Sequence, residues 1–332
     1  MNIKAIASAL PDWEVSNQGI ADWSGLDKVM LDDKIGVRRR HFLRNDETGT
    51  DLGVKAVQRL AAENPDFDLA RIGLLIVVTQ NPDYQLPHNS ALLQHRLELP
   101  NATACFDISL GCSGFVYALS VAKGFMLAEG VAEALIVTCD PYSKCMASNN
   151  RDVIGLFGDA ACATWLRADG AGRIGRGDFG TDGSGSHNLI IKAGGAAMPR
   201  AHLDKTSAVD PDEVDHFLHM NGRAIFNFMI SRVPTTVATC LSRNGLEREN
   251  VDFFVFHQAS RFLLETLRDR MGLDPARVPI ELEKTGNTVS SSIPLVLEGL
   301  LQREDLAGRS LLICGFGVGL SWASNIIQFN LE

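Results

Sequence analysis

The 332-residue chain lacks several things, and each lack removes a class of answer. No apolar run approaches the roughly 18 residues that a membrane-spanning helix needs, so no membrane partner is expected. The opening MNIKAIASALPDW imitates a secretory leader only faintly, since its apolar stretch stops at Pro11-Asp12. A first β-strand is the expectation there. The seven cysteines, at 105, 112, 139, 145, 162, 240 and 314, form no CxxC pair and no metal-ligand spacing. An odd, scattered set of this kind points to reduced thiols, a cytoplasmic protein and no bound metal. Long basic runs are missing too, and the formal net charge is −9, which disfavours a nucleic-acid partner. The densest cluster, Arg38-Arg39-Arg40-His41, is short and reads equally as surface ion pairs or as a local phosphate contact.

What is present is a core and an alternation. Hydrophobic residues make up 45% of the chain. Nearly continuous apolar runs at 70–80, 134–140, 251–258 and 309–317 read as strands covered on both faces. Helical patterns fall at 51–63, 114–129, 221–241, 260–271 and 293–302, giving an α/β protein. The order of elements repeats. A buried strand (72–78, then 251–257) leads to a second strand whose turn opens a helix, FDISLGCSGFVYAL at 106–119 and ELEKTGNTVSSSIPLVLEGL at 281–300. Another buried strand follows in each half, then a small-residue strand at 159–166 and 321–329. Two pseudo-symmetric halves, 1–172 and 173–332, are expected to pack as one body. The glycine-rich seam holds GAGRIG at 170–175, but no helical pattern follows it, so a loop is expected rather than a dinucleotide site.

Three residues stand out within that frame. Cys112 follows Gly111 in a strand-to-helix turn, where the helix N-terminus favours the nucleophilic thiolate. The neighbouring Ser113 lacks the last glycine of a GxSxG elbow. His257 ends the apolar strand VDFFVF, at the strand end where α/β proteins collect their working groups. Asn287 occupies the second-half counterpart of the Cys112 turn, and symmetry would face the two turns toward one cavity. A glycine-rich turn at 315–320 is suited to present backbone N–H groups to an oxyanion. His216 and His219 are one helical turn apart, without a third metal ligand, and read as a helix face.

Taken in order, KIGVRRRH…DET (34–48), DISLGCSGF (107–115), RDVIGLFGDAA (151–161), KAGG (192–195), HMNGRAIFNF (219–228), FHQAS (256–260), GNTVSSSIP (286–294) and GFGVGLSW (315–322) resemble the ketoacyl-acyl-carrier-protein synthase III family of the thiolase superfamily. The resemblance covers essentially the whole chain. It implies a five-layer αβαβα homodimer with a tunnel to a Cys112-His257-Asn287 triad. It also implies that an acyl-coenzyme A acylates Cys112, and that His257 and Asn287 stabilise the enolate formed when a malonyl thioester, carried by acyl carrier protein, loses carbon dioxide. Backbone N–H groups of Cys112 and Val318 would form the oxyanion hole. No cofactor is implied, coenzyme A entering as substrate.

Departures from the family pattern gather at the tunnel mouth. Met30 and Lys34 stand where the resemblance places a tryptophan and an arginine for the nucleotide of coenzyme A. Arg151 keeps its place. The string His257-Gln258-Ala259-Ser260-Arg261 has Ser260 for asparagine and an arginine displaced by one residue, a rotation of roughly 100° on a helix. Leu86 falls where the family sends a residue into the partner subunit's acyl pocket. These changes point away from acetyl as the primer and toward a specialised acyl pathway. Arg223, Arg232, Arg261, Arg268 and Arg270 are candidates for docking an acidic carrier, and ordinary surface arginines are an equal reading. The alternative within the fold is an acyltransferase that passes the Cys112 acyl group to an oxygen or nitrogen acceptor. A hydroxymethylglutaryl-type reaction would want a carboxylate where the chain has Gln80.

Overall fold

A computed structural model describes residues 1–169, 172–199 and 214–329. Strands β1 (Asn2–Ala9), β2 (Leu74–Val78), β3 (Ala104–Ile108), β4 (Glu133–Cys139) and β5 (Ala161–Arg167) form one sheet in the order β1-β5-β4-β2-β3. A second sheet is built from β6 (Arg173–Ile174), β7 (Asp178–Thr181), β8 (Phe253–Phe256), β9 (Ser310–Gly317) and β10 (Ser321–Gln328). Its order is β8-β9-β10, with β6 and β7 both pairing to the far side of β10. Of the four strands in the repeat read from the sequence, three recur in the second half. β2 runs parallel to β4 and β4 antiparallel to β5; likewise β8 runs parallel to β9 and β9 antiparallel to β10.

Helices fill three layers around the two sheets. α1 (Gly49–Glu63) and α2 (Asn89–Arg96) cover the outside of the first sheet. α3 (Gly114–Glu129) and α6 (Ser292–Arg303) lie between the sheets, while α4 (Gly222–Asn244) and α5 (Arg261–Met271) cover the outside of the second. The result is the expected five-layer αβαβα stack. α3 explains its own position: Phe115, Val116, Ala118, Leu119, Ala122 and Met126 are buried, and Tyr117 and Phe125 pack against the same core from the other side, so apolar surface runs around most of the helix and both sides need cover. α6 meets it with Ile293, Val296, Leu297 and Leu300 at helical spacing. α4 is long and apolar enough, by length and composition, to cross a membrane. Here its Phe228, Met229, Val233 and Val237 pack onto the second sheet as a core helix does.

Two expectations need correction. No strand forms ahead of Asn287, where 281–285 is a turn: Glu281 pairs with Arg303 and Glu283 with Arg261, and Gly286 takes φ +70°, which extended backbone does not allow. A Cβ at Gly286 would also come within 2.9 Å of Leu156 O. The second is the seam. Arg173–Ile174 of GAGRIG is strand, paired with Ile327 and Gln328, rather than loop. Strand β7 follows, where a dinucleotide fingerprint would open a helix.

Candidate active site

Cys112 sits in the turn between β3 and α3, closed by Gly114 N–H donating to Gly111 O at 2.8 Å. Its side chain faces the end of β9. A Cβ at Gly317 would stand 3.0 Å from both Cβ and Sγ of Cys112, so glycine there is what makes room for the thiol. Ser113 points elsewhere: it is buried, and its hydroxyl pairs with that of Ser321 at 2.7 Å. The serine-elbow geometry is therefore absent.

His257 follows β8, and Asn287 follows the turn that replaces the expected strand. Both line the same cavity as Cys112, a space of 320 Å³ between the halves. Their orientations are fixed by neighbours. His257 Nδ1 lies 2.7 Å from Ser292 Oγ, and that hydroxyl donates to Val289 O at 2.9 Å. Nδ1 is therefore the protonated ring nitrogen, and Nε2 carries the free lone pair. Asn287 Oδ1 accepts the Val289 N–H at 2.9 Å, which turns Nδ2 toward Ala259 O at 3.5 Å. Val289 makes both contacts from a backbone φ of +53°, a conformation that costs a β-branched residue about 1–3 kcal/mol.

Electrostatics correct one expectation. The helix start was expected to favour thiolate at Cys112, but the residue is only 6% exposed, and burial pushes the thiol up. The nearby Asp140 carboxylate adds to the effect. Asp140 itself is buried, which raises it to about 6 against hydrogen bonds from Gln80 N–H (2.6 Å) and Ser290 N–H (3.3 Å). Burial lowers His257 to about 3, so its ring is neutral at rest. The resting site thus holds, in one cavity, a thiol and a neutral imidazole whose Nε2 can accept a proton.

The other predicted residues scatter around this centre. Ala259 lines the cavity. Arg261 leans on Glu283 at 3.5 Å and Glu265 at 3.9 Å, so its charge is already partnered. Arg151 is exposed, with Nη2 3.5 Å from Gly25 O. The side chains of Met30 and Lys34 lie outside the described set. Val318, in the turn between β9 and β10, lines an adjoining 340 Å³ cavity that shares Tyr142 and Leu189 with the first. Leu86 is 87% exposed on a loop beside β3, tied there by Asn89 and Ser90 N–H groups donating to Asp107. The basic cluster resolves into ion pairs and a core residue. Arg38 meets Glu283, Arg39 meets Glu14, and Arg40 is fully buried, bonded to Asn17 Oδ1 and Gly155 O at 2.6 Å each. Among the docking candidates, Arg268 pairs with Asp269 at 2.8 Å and Arg232 lies over Trp322, while Arg223 and Arg270 are exposed. No group of three or more His, Cys, Asp or Glu among the described residues is placed to hold a metal.

Sequence reasoning missed Ser292, Asp140 and Tyr142. The first had a signal: the run Ser290-Ser291-Ser292 opens a helix buried between sheets, where each hydroxyl must find a partner.

Two stacked sheets in five layers, with the cavity between their halves, define the thiolase-fold class of condensing enzymes. Residues 106–183 match 3-oxoacyl-[acyl-carrier-protein (ACP)] synthase III, and residues 241–329 match the C-terminal part of the same family. The chain is 32% identical over 332 residues to the beta-ketoacyl-[acyl-carrier-protein] synthase III of Deinococcus deserti, covering 99% of this chain and 91% of that one. A solved 3-oxoacyl-(acyl-carrier-protein) synthase III is 37% identical with a TM-score of 0.92, each chain covered to 99%. The priming beta-ketosynthase of the R1128 polyketide pathway is 28% identical with a TM-score of 0.87, covering 99% of this chain and 96% of that one. The chain belongs to the 3-oxoacyl-[acyl-carrier-protein] synthase III family, and is an acyl-transferring condensing enzyme.

Proposed function

We propose that Cys112, His257 and Asn287 are the catalytic residues of a decarboxylating condensation that begins with an acyl-coenzyme A. The observation that carries this reading is their meeting in one cavity with the His257 and Asn287 side chains held in fixed orientation. In the first half-reaction Nε2 of His257 takes the Cys112 proton as sulfur attacks the thioester carbonyl. The proton then leaves with the coenzyme A thiolate, and Cys112 keeps the acyl group. In the second, the malonyl carboxylate departs as carbon dioxide and the electron pair forms an enolate, whose oxygen accepts a hydrogen bond from Asn287 Nδ2–H. The anionic malonyl group acts against the burial that keeps His257 neutral, so Nε2 takes up a proton from solvent and donates it in a hydrogen bond to the same oxygen. The enolate carbon attacks the acyl-Cys112 carbonyl, the Cys112 and Val318 N–H groups hold its oxyanion, and His257 returns the proton to the departing Cys112 sulfur.

The extender is a malonyl group on acyl carrier protein, no cofactor takes part, and the enzyme works in the cytoplasm. Lys34 and Arg151 supply charge for the nucleotide end of coenzyme A. The working form is a homodimer. β3 is the outer strand of its sheet with all five residues half-buried, an edge suited to pairing with a second copy. Leu86, exposed on the loop beside that edge, then reaches the partner's acyl pocket. An intact set of enolate-stabilising groups favours condensation over simple acyl transfer to oxygen or nitrogen, and Gln80 offers no carboxylate base for a non-decarboxylating route. The test is carbon dioxide release from malonyl-carrier protein by Asn287→Ala. A fall of 10²-fold or more, with Cys112 acylation retained, is expected; unchanged release would remove Asn287 from the enolate step.

A further inference from the structure

The cavity that holds Cys112 opens past two aromatic rings that the family resemblance did not single out. Phe262, on the first turn of α5, is 61% exposed, although it belongs to the lining of that cavity. Its ring lies nearly parallel to that of Phe226 on α4, with centroids 5.8 Å apart and planes 19° from each other. Phe226 lines the same cavity. The two helices are thus bridged at the rim by a stacked pair whose outer ring is left largely to solvent. A large exposed aromatic beside a buried site is the kind of surface that a ligand covers.

The chemistry of the passing substrate identifies what covers it. This inference rests on the proposed reaction, in which a thioester reaches Cys112 through this cavity while its carrier stays outside. The portion crossing the rim is then the pantetheine arm, with its apolar gem-dimethyl carbons and flat amides, whichever carrier bears it. The adjacent Arg261 is drawn onto Glu283 and Glu265, and the Ser260 hydroxyl caps α5 through Leu263 N–H. We propose that Phe262, backed by Phe226, is a binding residue for the pantetheine arm, and that it sets the preference for thioesters carrying the full arm over truncated ones.

The experiment compares acylation of Cys112 by three thioesters of one acyl group: the coenzyme A, pantetheine and N-acetylcysteamine forms. The last lacks the gem-dimethyl segment. In Phe262→Ala the ratio of kcat/KM for acyl-pantetheine to that for acyl-N-acetylcysteamine is expected to fall about tenfold, and the coenzyme A ratio to fall equally. Phe262→Tyr, which keeps the ring, should restore both ratios. Unchanged ratios would overturn the proposal, as would a loss confined to coenzyme A, which would put the nucleotide rather than the arm on the ring. Absence of any Cys112 adduct in the wild-type protein would count against the proposed function instead, so the two failures are distinguishable.

Discussion

Replacing Gly317 with alanine tests the packing that surrounds the proposed nucleophile. The new Cβ would lie 3.0 Å from both Cβ and Sγ of Cys112, where ordinary contacts begin near 3.5 Å. Gly317 and Cys112 are both buried, so the clash is relieved only by moving the thiol or bending the end of β9 by about half an ångström. Overpacking of this size costs about 1–3 kcal/mol. For a chain this long the expected fall in Tm is about 1–2 °C per kcal/mol. The kinetic cost should be larger, because a misplacement near 1 Å can cost about 10²-fold; a displacement of half that predicts acylation slower by about 10-fold or more. Time-resolved intact mass spectrometry measures the acylation rate, and thermal unfolding gives the stability term. Cys112→Gly supplies the control: with the opposing side chain gone, Gly317→Ala should destabilise much less than in wild type, a coupling read from the double-mutant cycle. Acylation within threefold of wild type at unchanged Tm would refute the packing argument.

His257 offers a pH test. Burial holds it near 3, below the unfolded value of 6.5, so as pH falls the unfolded chain takes up the proton first. The stability this withholds is present above about 6.5 and drains away toward 3, by about 2–3 kcal/mol between pH 6.5 and 4.5. His257→Gln should lack that slope, so the difference between the two proteins by urea unfolding should carry all of it, the buried carboxyls of Asp140 and Asp159, each raised to about 6, being common to both. Equal slopes would mean that the ring is not held neutral. Leu86→Asp addresses the dimer. Since Leu86 is 87% exposed in one chain, the variant should fold normally yet dissociate at concentrations where wild type stays paired, as read by sedimentation velocity. An unaltered association constant would place Leu86 outside the interface.

The large elements were legible because their causes are local and periodic. Runs such as IGLLIVV and SLLICGFG can only be strands covered on both faces, and Phe115 through Met126 wrap a helix that needs two covers. The repeat gave the pairing of halves for the same reason. The strand expected before Asn287 failed because symmetry was applied to a segment whose charges are engaged elsewhere, Glu281 by Arg303 and Glu283 by Arg261. The thiolate expectation at Cys112 failed on burial, a property of the assembled halves that no local pattern encodes. The same holds for Ser292, whose contact with His257 joins residues 35 positions apart, and for the stacking of Phe262 on Phe226. Helical period put each on its helix; only the packing of the helices brought them together.

The central claim is that Cys112 carries the acyl group. Incubating the protein with a panel of acyl-coenzyme A thioesters and weighing it intact tests that most directly. A single adduct is expected, its mass equal to one acyl group, located on Cys112 by peptide mapping and lost in Cys112→Ala. No adduct with any thioester, or an adduct that persists in Cys112→Ala, would contradict it.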